Sequence, residues 1–348
     1  MPVVVPGVLT LDNAPTMPCT VHISAAARLH FGLLAFGQPT GRQYGGAGVM
    51  IKSPRVELSV SPSDDFAATG LSARRVAEFA AKWAATNNVT TPLNCSINVS
   101  TAMPAHAGFG SGTQLGLSVA KGLETFFGVE SQGIEQLSMS VGRGGRSAVG
   151  SYGFGSGGFI AENGRLSDGR LGELQTQCAL PEQWRVVVLQ RRNDSGLSGE
   201  AEQRAFAGEL PSMPAATTET MTTLLMDRII PAAKSGDLES FGSAVYEYGL
   251  LAGGCFAAVQ GGPFASPEAE TLVDWLRENS IHGPGQSSWG PTIFGFAQSQ
   301  ETAETALELL ARSDLAEGWS ASVEEIENSG ASVSVVPVQR DPNRRIER

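Results

Sequence analysis

Residues 104 to 114 constrain this chain more than any other stretch. They read Pro104-Ala105-His106-Ala107-Gly108-Phe109-Gly110-Ser111-Gly112-Thr113-Gln114 and run straight into the apolar segment Leu115 to Leu123. Three glycines and two hydroxyl residues crowd the point where a helix must begin. A helix N-terminus presents unpaired backbone N–H groups and partial positive charge, so it draws anions. Glycines ahead of it let the backbone close around a phosphate with no side chain in the way. Ser111 and Thr113 add hydroxyls that can contact phosphate or hold a metal-bound water. Two readings follow: a phosphate site, or a glycine-rich turn with a Ser or Thr N-cap and no ligand.

At 348 residues the chain has room for two domains. The change of texture between Cys178 and Trp184 sets a boundary near residue 180, giving units 1–180 and 181–348. The 42 glycines cluster instead of repeating, so they mark loops and close backbone approaches. A net charge of −11 argues against a nucleic-acid surface. Cys19, Cys95, Cys178 and Cys255 stand singly with no metal-ligand spacing, and read as buried thiols in a reducing compartment. With no signal-peptide pattern and no membrane-length apolar run, a cytoplasmic location is expected.

Hydrophobic periodicity predicts strands at Cys19–Ala26, Gly48–Ile51, Val56–Ser61, Leu93–Ser100 and Gly158–Ala161. It predicts helices at Gly70–Ala85, 112–127 and Ile134–Val141. Arg185–Leu189 reads as a buried strand from its continuous valines. The second half carries helices at Thr217–Lys234, Leu238–Gly253, Pro267–Asn279 and Ala303–Arg312, with strands at Pro291–Phe296 and Ser332–Val338. Helices packed on a small antiparallel sheet make this half α+β. Residues 1–18 and the tail from Arg340 read as surface segments.

Four glycine-rich polar clusters could carry chemistry. Ala26-Ala27-Arg28-Leu29-His30-Phe31-Gly32 ends the first strand, and the loop at 104–114 is the second. The third runs from Gly142 to Gly158, with Arg143 and Arg146 among eight glycines. The fourth is Gly283-Pro284-Gly285-Gln286-Ser287-Ser288-Trp289-Gly290-Pro291. Each has a plain structural reading: a solvated Arg28, a core His30, a loose third loop, Trp289 as an interdomain plug. Together they suit a phosphate-rich ligand, which needs backbone donors plus arginines from several segments. No Ser/His/Asp order, zinc motif, Walker loop or dinucleotide fingerprint is present.

The Pro104–Thr113 loop with its helix resembles the second motif of the GHMP kinases, whose Pro-x-x-x-Gly-Leu-Gly-Ser-Ser loop wraps ATP phosphates. Arg28 resembles their first motif and Gly283–Gly290 their third, in the same order along nearly the whole chain. The resemblance implies an α+β GHMP kinase-like fold, with an N-terminal domain like ribosomal protein S5 and a C-terminal ferredoxin-like α/β sandwich. Those kinases carry an aspartate on the helix before the segment here written Gly157-Gly158-Phe159. Ser147-Ala148-Val149-Gly150-Ser151-Tyr152 has no carboxylate, so phosphoryl transfer lacks an expected part.

Gly-Phe-Gly-Ser-Gly-Thr-Gln at 108–114, Gly-Arg-Gly-Gly-Arg-Ser at 142–147, Gly-Gln-Ser-Ser-Trp-Gly-Pro at 285–291 and Arg-Leu-His-Phe-Gly-Leu at 28–33 resemble a narrower family. It is the β-ribofuranosylaminobenzene 5′-phosphate synthases of tetrahydromethanopterin biosynthesis. That family joins phosphoribosyl pyrophosphate to 4-aminobenzoate, releasing pyrophosphate and carbon dioxide. The resemblance implies that Gly108, Gly110, Ser111, Gly112, Thr113 and Gln114 cradle a phosphate, and that Mg²⁺ bridges pyrophosphate oxygens near Ser111 or Thr113. It further implies catalytic parts for Arg28, His30, Arg143 and Arg146. Gln286, Ser287 and Ser288 close the site, with Trp289 against the aromatic ring. A homodimer is expected, and the acceptor is 4-aminobenzoate or a similar para-substituted benzoate. The alternatives are an ATP-dependent small-molecule kinase of the GHMP type and a protein that binds a phosphorylated metabolite without turnover.

Overall fold

A computed structural model describes residues 19–38, 41–192, 211–288 and 290–337. The expectations for residues 1–18, for Trp289 and for the tail from Arg340 lie outside the described residues.

The chain opens on two long strands. β1 (Cys19–Ala35) and β2 (Tyr44–Pro62) pair antiparallel, with irregularities between Ala26 and Ala27 and between His30 and Gly32. β1 therefore continues nine residues past the expected end at Ala26, and Arg28 and His30 lie within it. The two strands expected at 48–51 and 56–61 are one. Its first part pairs with β5 (Phe159–Glu162), and its last part pairs with β4 (Cys95–Thr101). β3 (Ala67–Gly70) runs parallel to β4, and α1 (Ala73–Thr86) connects them. The apolar spacing in α1 does what it predicts: Val76, Phe79, Ala80 and Trp83 are all buried. β6 (Leu174–Cys178) adds to β5, completing the seven-stranded sheet with β11 (Ser332–Pro337).

That last strand corrects the sequence reading, which puts 332–338 with the second half. β11 instead pairs with β1 from Cys19↔Pro337 to Ser24↔Ser332. Periodicity identifies a strand but carries no information about its partner.

The second sheet has the order β10-β7-β9-β8, all antiparallel, from β7 (Arg185–Arg191), β8 (His282–Gln286), β9 (Ile293–Ala297) and β10 (Trp319–Glu325). Its continuous valines have a reason. Val186 and Val188 face the core shared with the first sheet, whereas Val187 and Leu189 face a second core with Leu272, Val273, Leu276 and Leu310. The helices expected in this half are present. α5 (Ala215–Leu224) passes through a π-helical turn (Leu225–Ile229) into α6 (Ile230–Ser235). α7 (Leu238–Gly254), the short α8 (Ala257–Gln260), α9 (Pro267–Glu278) and α10 (Gln300–Ala311) follow. The arrangement is α+β, as expected.

Of the four cysteines, all free, only Cys95 is buried; Cys19, Cys178 and Cys255 are partly exposed, which corrects the reading of all four as core thiols. No described helix is long and apolar enough to cross a membrane.

Candidate functional site

The glycine loop leads into α2 (Ser111–Phe127), a helix of 17 residues, which the short α3 (Ile134–Ser140) follows. The N-cap of α2 is Gly110 in the left-handed region, no side chain caps it, and its first turn holds no acid. The alternative of a Ser or Thr N-cap is therefore not what the chain builds. An uncapped first turn keeps its positive end available to an anion.

Arginines from three segments gather on this helix end. Arg28 of β1 receives its place from the loop itself: its backbone N–H donates to Phe109 O at 2.9 Å, and its Nη1 to Gly108 O at 3.3 Å. A Cβ on Gly110 would lie 3.4 Å from Arg28 Nε. A Cβ on Gly112 would lie 2.7 Å from Arg75 Nη2 and 3.5 Å from both terminal nitrogens of Arg143. Arg143 also stacks over Phe79, 4.8 Å from the ring centroid. Nothing in the sequence motifs singles out Arg75. It comes from α1, one turn ahead of the buried Phe79 and at the edge of the buried face, where an arginine reads as ordinary surface charge.

The fourth glycine cluster locks onto the second. Ser287, fully buried, accepts from the His30 backbone N–H at 3.0 Å and donates to Gly108 O at 2.7 Å. Thr292 Oγ1 donates to Ala107 O, and Ser288 N–H to His30 O at 3.3 Å. A Cβ on Gly108 would meet Ser287 O at 2.4 Å, and one on Gly290 would meet the Gly108 nitrogen at 2.3 Å. Only glycines allow the two turns to lie this close.

Three residues expected to contact the ligand are buried and bonded within the protein. Gln114 is fully buried, its amide nitrogen donating to Gly150 O at 2.8 Å, and so ties α2 to α4 (Val149–Ser156). Ser287 joins the loops as described. His30 is 2% exposed, with both ring nitrogens engaged. Gly32 N–H donates to its Nδ1 at 3.1 Å, so the proton sits on Nε2, which donates to Ser147 Oγ at 2.9 Å. Burial, then the charge of Arg28, hold this imidazole well below its ordinary pKa and hence neutral. Ser111, Thr113, Arg143 and Arg146 remain partly exposed, and Ser288 is exposed.

α4 is not what the plain alternative of a loose third loop implies. Its glycines permit packing, since a Cβ on Gly153 would strike Met50 Sδ at 2.3 Å. The helix presents no carboxylate, as its sequence requires. One buried acid does stand behind it. Glu162 at the end of β5 is fully buried, accepting from Ala148 N–H at 3.0 Å, Gly164 N–H at 2.8 Å and the Ser147 hydroxyl. Burial pushes its carboxyl up to about 7.

Across the His30–Ser287 junction from the glycine loop lies a small pocket. Phe256, Pro263, Phe264 and Ala252 line it with Gln260 and Ser288. Gln286, also on its wall, accepts from Ala265 N–H at 2.7 Å and donates to Ser288 O at 3.1 Å, which fixes the loop that carries Phe264.

The resemblance drawn from the glycine motifs is borne out. Residues 229–314 match the family described as GHMP kinases C terminal. A protein of Methanothermobacter thermautotrophicus named beta-ribofuranosylphenol 5′-phosphate synthase is 26% identical, covering 78% of this chain and 87% of its own length. A Methanocaldococcus jannaschii protein of the same name is 24% identical over 82% of this chain and 92% of its own. Among solved structures, Staphylococcus aureus mevalonate diphosphate decarboxylase superposes with a TM-score of 0.66 at 13% identity, over 92% of this chain and all of its own. Cytophaga hutchinsonii homoserine kinase gives 0.63 at 13% identity, over 90% and 97%. These likenesses establish the GHMP fold.

Proposed function

We propose that this chain is a decarboxylating pentosyltransferase, which joins the ribosyl 5-phosphate of phosphoribosyl pyrophosphate to a para-substituted benzoate. The observation that carries the reading is an uncapped α2 N-terminus faced by Arg28, Arg75 and Arg143, beside a helix α4 with no carboxylate. The chemistry matches both halves of it. The ring carbon bearing the carboxylate attacks ribose C1, and the C1–O bond breaks with its electron pair leaving on pyrophosphate. The bond to the carboxylate then breaks as carbon dioxide departs, returning its pair to the ring. No proton has to be taken by the protein, so no base is required. What is required is stabilisation of a highly charged leaving group and alignment of two reactants. The arginines and helix end serve the first need. The pocket beside His30 offers Phe256 and Phe264 as apolar walls for an aromatic ring, and at about 40 Å³ it would have to widen to admit one.

A para-hydroxyl or para-amine feeds electrons to the attacking carbon in the same way. The relatives' name specifies a phenol product, which favours 4-hydroxybenzoate; 4-aminobenzoate, the acceptor implied by the sequence motifs, would place the chain in tetrahydromethanopterin biosynthesis. Among the described residues no three His, Cys, Asp or Glu side chains group as metal ligands. Ser111 and Thr113 therefore fit Mg²⁺ only when pyrophosphate oxygens supply most of its shell. Held so, the ion would neutralise part of the leaving group's charge. A homodimer in the cytoplasm completes the proposal.

The test is release of labelled carbon dioxide from carboxyl-labelled 4-hydroxybenzoate and 4-aminobenzoate, with Mg²⁺, with and without phosphoribosyl pyrophosphate. Donor-dependent release establishes the transfer, and the faster acceptor names the substrate. No release with either, together with ATP turnover on an alcohol panel, would make the chain a kinase; silence in both assays would leave a binding protein.

A further inference from the structure

Glu162 is an ionisable group of the site for which the reaction above has no use. It is fully buried, yet it is not a bystander in packing. A Cβ on Gly172 would lie 2.0 Å from its Oε2, so the chain is kept bare where it crosses the carboxylate. Its three donors leave it no hydrogen to share: Ala148 N–H, Gly164 N–H and the Ser147 hydroxyl all point at its oxygens. The Ser147 oxygen in turn accepts from His30 Nε2 at 2.9 Å and from Val149 N–H at 3.2 Å. His30 Nδ1 accepts from Gly32 N–H. A backbone amide at each end thus fixes the direction of the chain Gly32–His30–Ser147–Glu162. Reversing it would put a proton on His30 Nδ1 against the Gly32 N–H.

We propose that Glu162 is a positioning residue: its ionised carboxylate pins Ser147 and Ala148, and so sets the placement of the adjoining Arg146 and the tautomer of His30. Ser147 and Ala148 directly follow Arg146, so an anchor on them leaves the arginine little backbone freedom. Protonation would leave Glu162 with a hydrogen to donate where three donors already converge, and the anchor would loosen. The charged and titratable groups acting on or near the carboxylate are Arg42, which favours its ionised form, and Tyr152 and Tyr248, whose hydroxyls are raised first by burial and then by the Glu162 charge. His30 is neutral and bonded to it only through Ser147.

The kinetic half of the test rests on the transferase reading; the spectroscopic half does not. With ¹⁵N-histidine-labelled full-length protein, the His30 resonances should show the neutral Nε2–H form and a step near pH 7 as Glu162 titrates. In Glu162→Gln the step should vanish. Donor kcat/KM should fall about tenfold, the scale of a lost hydrogen bond to a charged group, and become level where the wild type declines toward acid. Unchanged His30 signals and a retained acid limb in Glu162→Gln would overturn the proposal, even if activity fell. Should that variant not fold, Ser147→Ala keeps both backbone bonds to Glu162 while removing the hydroxyl that links it to His30 and holds Val149 N–H. It should abolish the His30 step, and its persistence would equally overturn the proposal. If wild type makes no product while the step is present and sensitive to both variants, the transferase reading fails and the positioning role stands.

Discussion

At the scale of single residues, the arginines should divide catalysis from folding. Arg75 and Arg143 reach the α2 N-terminus from different segments, and neither is buried. Replacing either with alanine removes a charge-assisted contact to phosphate, on the order of 1.5–3 kcal/mol, with little loss of packing. We expect donor kcat/KM to drop roughly 10- to 100-fold while the melting temperature holds; wild-type kinetics in both variants would remove them from the anion site. Arg146→Ala should abolish turnover, read in the same assay. Stability against pH is a second residue-scale test. Glu162, raised from 4.5 to about 7, contributes stability that is full below pH 4.5 and lost as pH rises through 7, on the order of 3 kcal/mol. His30 is lowered from 6.5, so its contribution is present above 6.5 and lost as pH falls below it. Between those values the two slopes oppose. Glu162→Gln leaves the His30 slope alone, so its urea midpoint should fall more steeply on acidification from pH 6.5 than that of wild type. A parallel decline would show that the two groups do not oppose.

Among elements, the junction of two glycine turns is the point of greatest constraint. Gly108 has φ +92° and faces Ser287 O, and Gly290 faces Ala107 and Gly108. Alanine at Gly108 meets both a forbidden backbone region and a carbonyl at 2.4 Å, so it should cost about 2–4 kcal/mol. Because the same turns hold Ser287 and Arg28, donor binding should weaken with it; equal urea midpoints for Gly108→Ala and wild type would show that the turns do not need this approach. This junction also shows what a sequence makes legible. The loop, the helix after it and the arginine-bearing third cluster were readable because their signals are local: glycines, hydroxyls and periodicity in one short stretch. Arg75 and Glu162 were not, since each matters only through what folds against it from elsewhere. β8 was missed because His282-Gly283-Pro284-Gly285-Gln286 carries turn residues, and its strand geometry is imposed by pairing with β9. The inward turn of Gln114 and Ser287 was invisible for the same reason: the motif identifies the residues, and only packing tells which way they face.

For the molecule as a whole, the two halves are joined by a common core. Phe31 on β1 packs on Phe159 of the first sheet, on Phe241 of α7 and on Phe294 and Phe296 of β9, with ring centroids 5.5 to 6.3 Å apart. Met213, Leu225 and Ile229 of the second half belong to the same cluster as Val21 and Leu29 of the first. Removing a fully packed phenylalanine costs roughly 3–5 kcal/mol, and here the loss falls on contacts that cross between halves. Phe31→Ala should therefore lower the stability of both sheets together. Hydrogen exchange in urea can separate them: amides of β4 and α1 report the first half, and those of β9 and α9 the second. In wild type both sets should lose protection at one denaturant concentration, and in Phe31→Ala both should move down by the same amount. Separate transitions, with only the first half shifted, would mean that the halves fold on their own. In that case the site between α2 and the His30 pocket would depend on docking two finished units, and its activity would fail before either half unfolded.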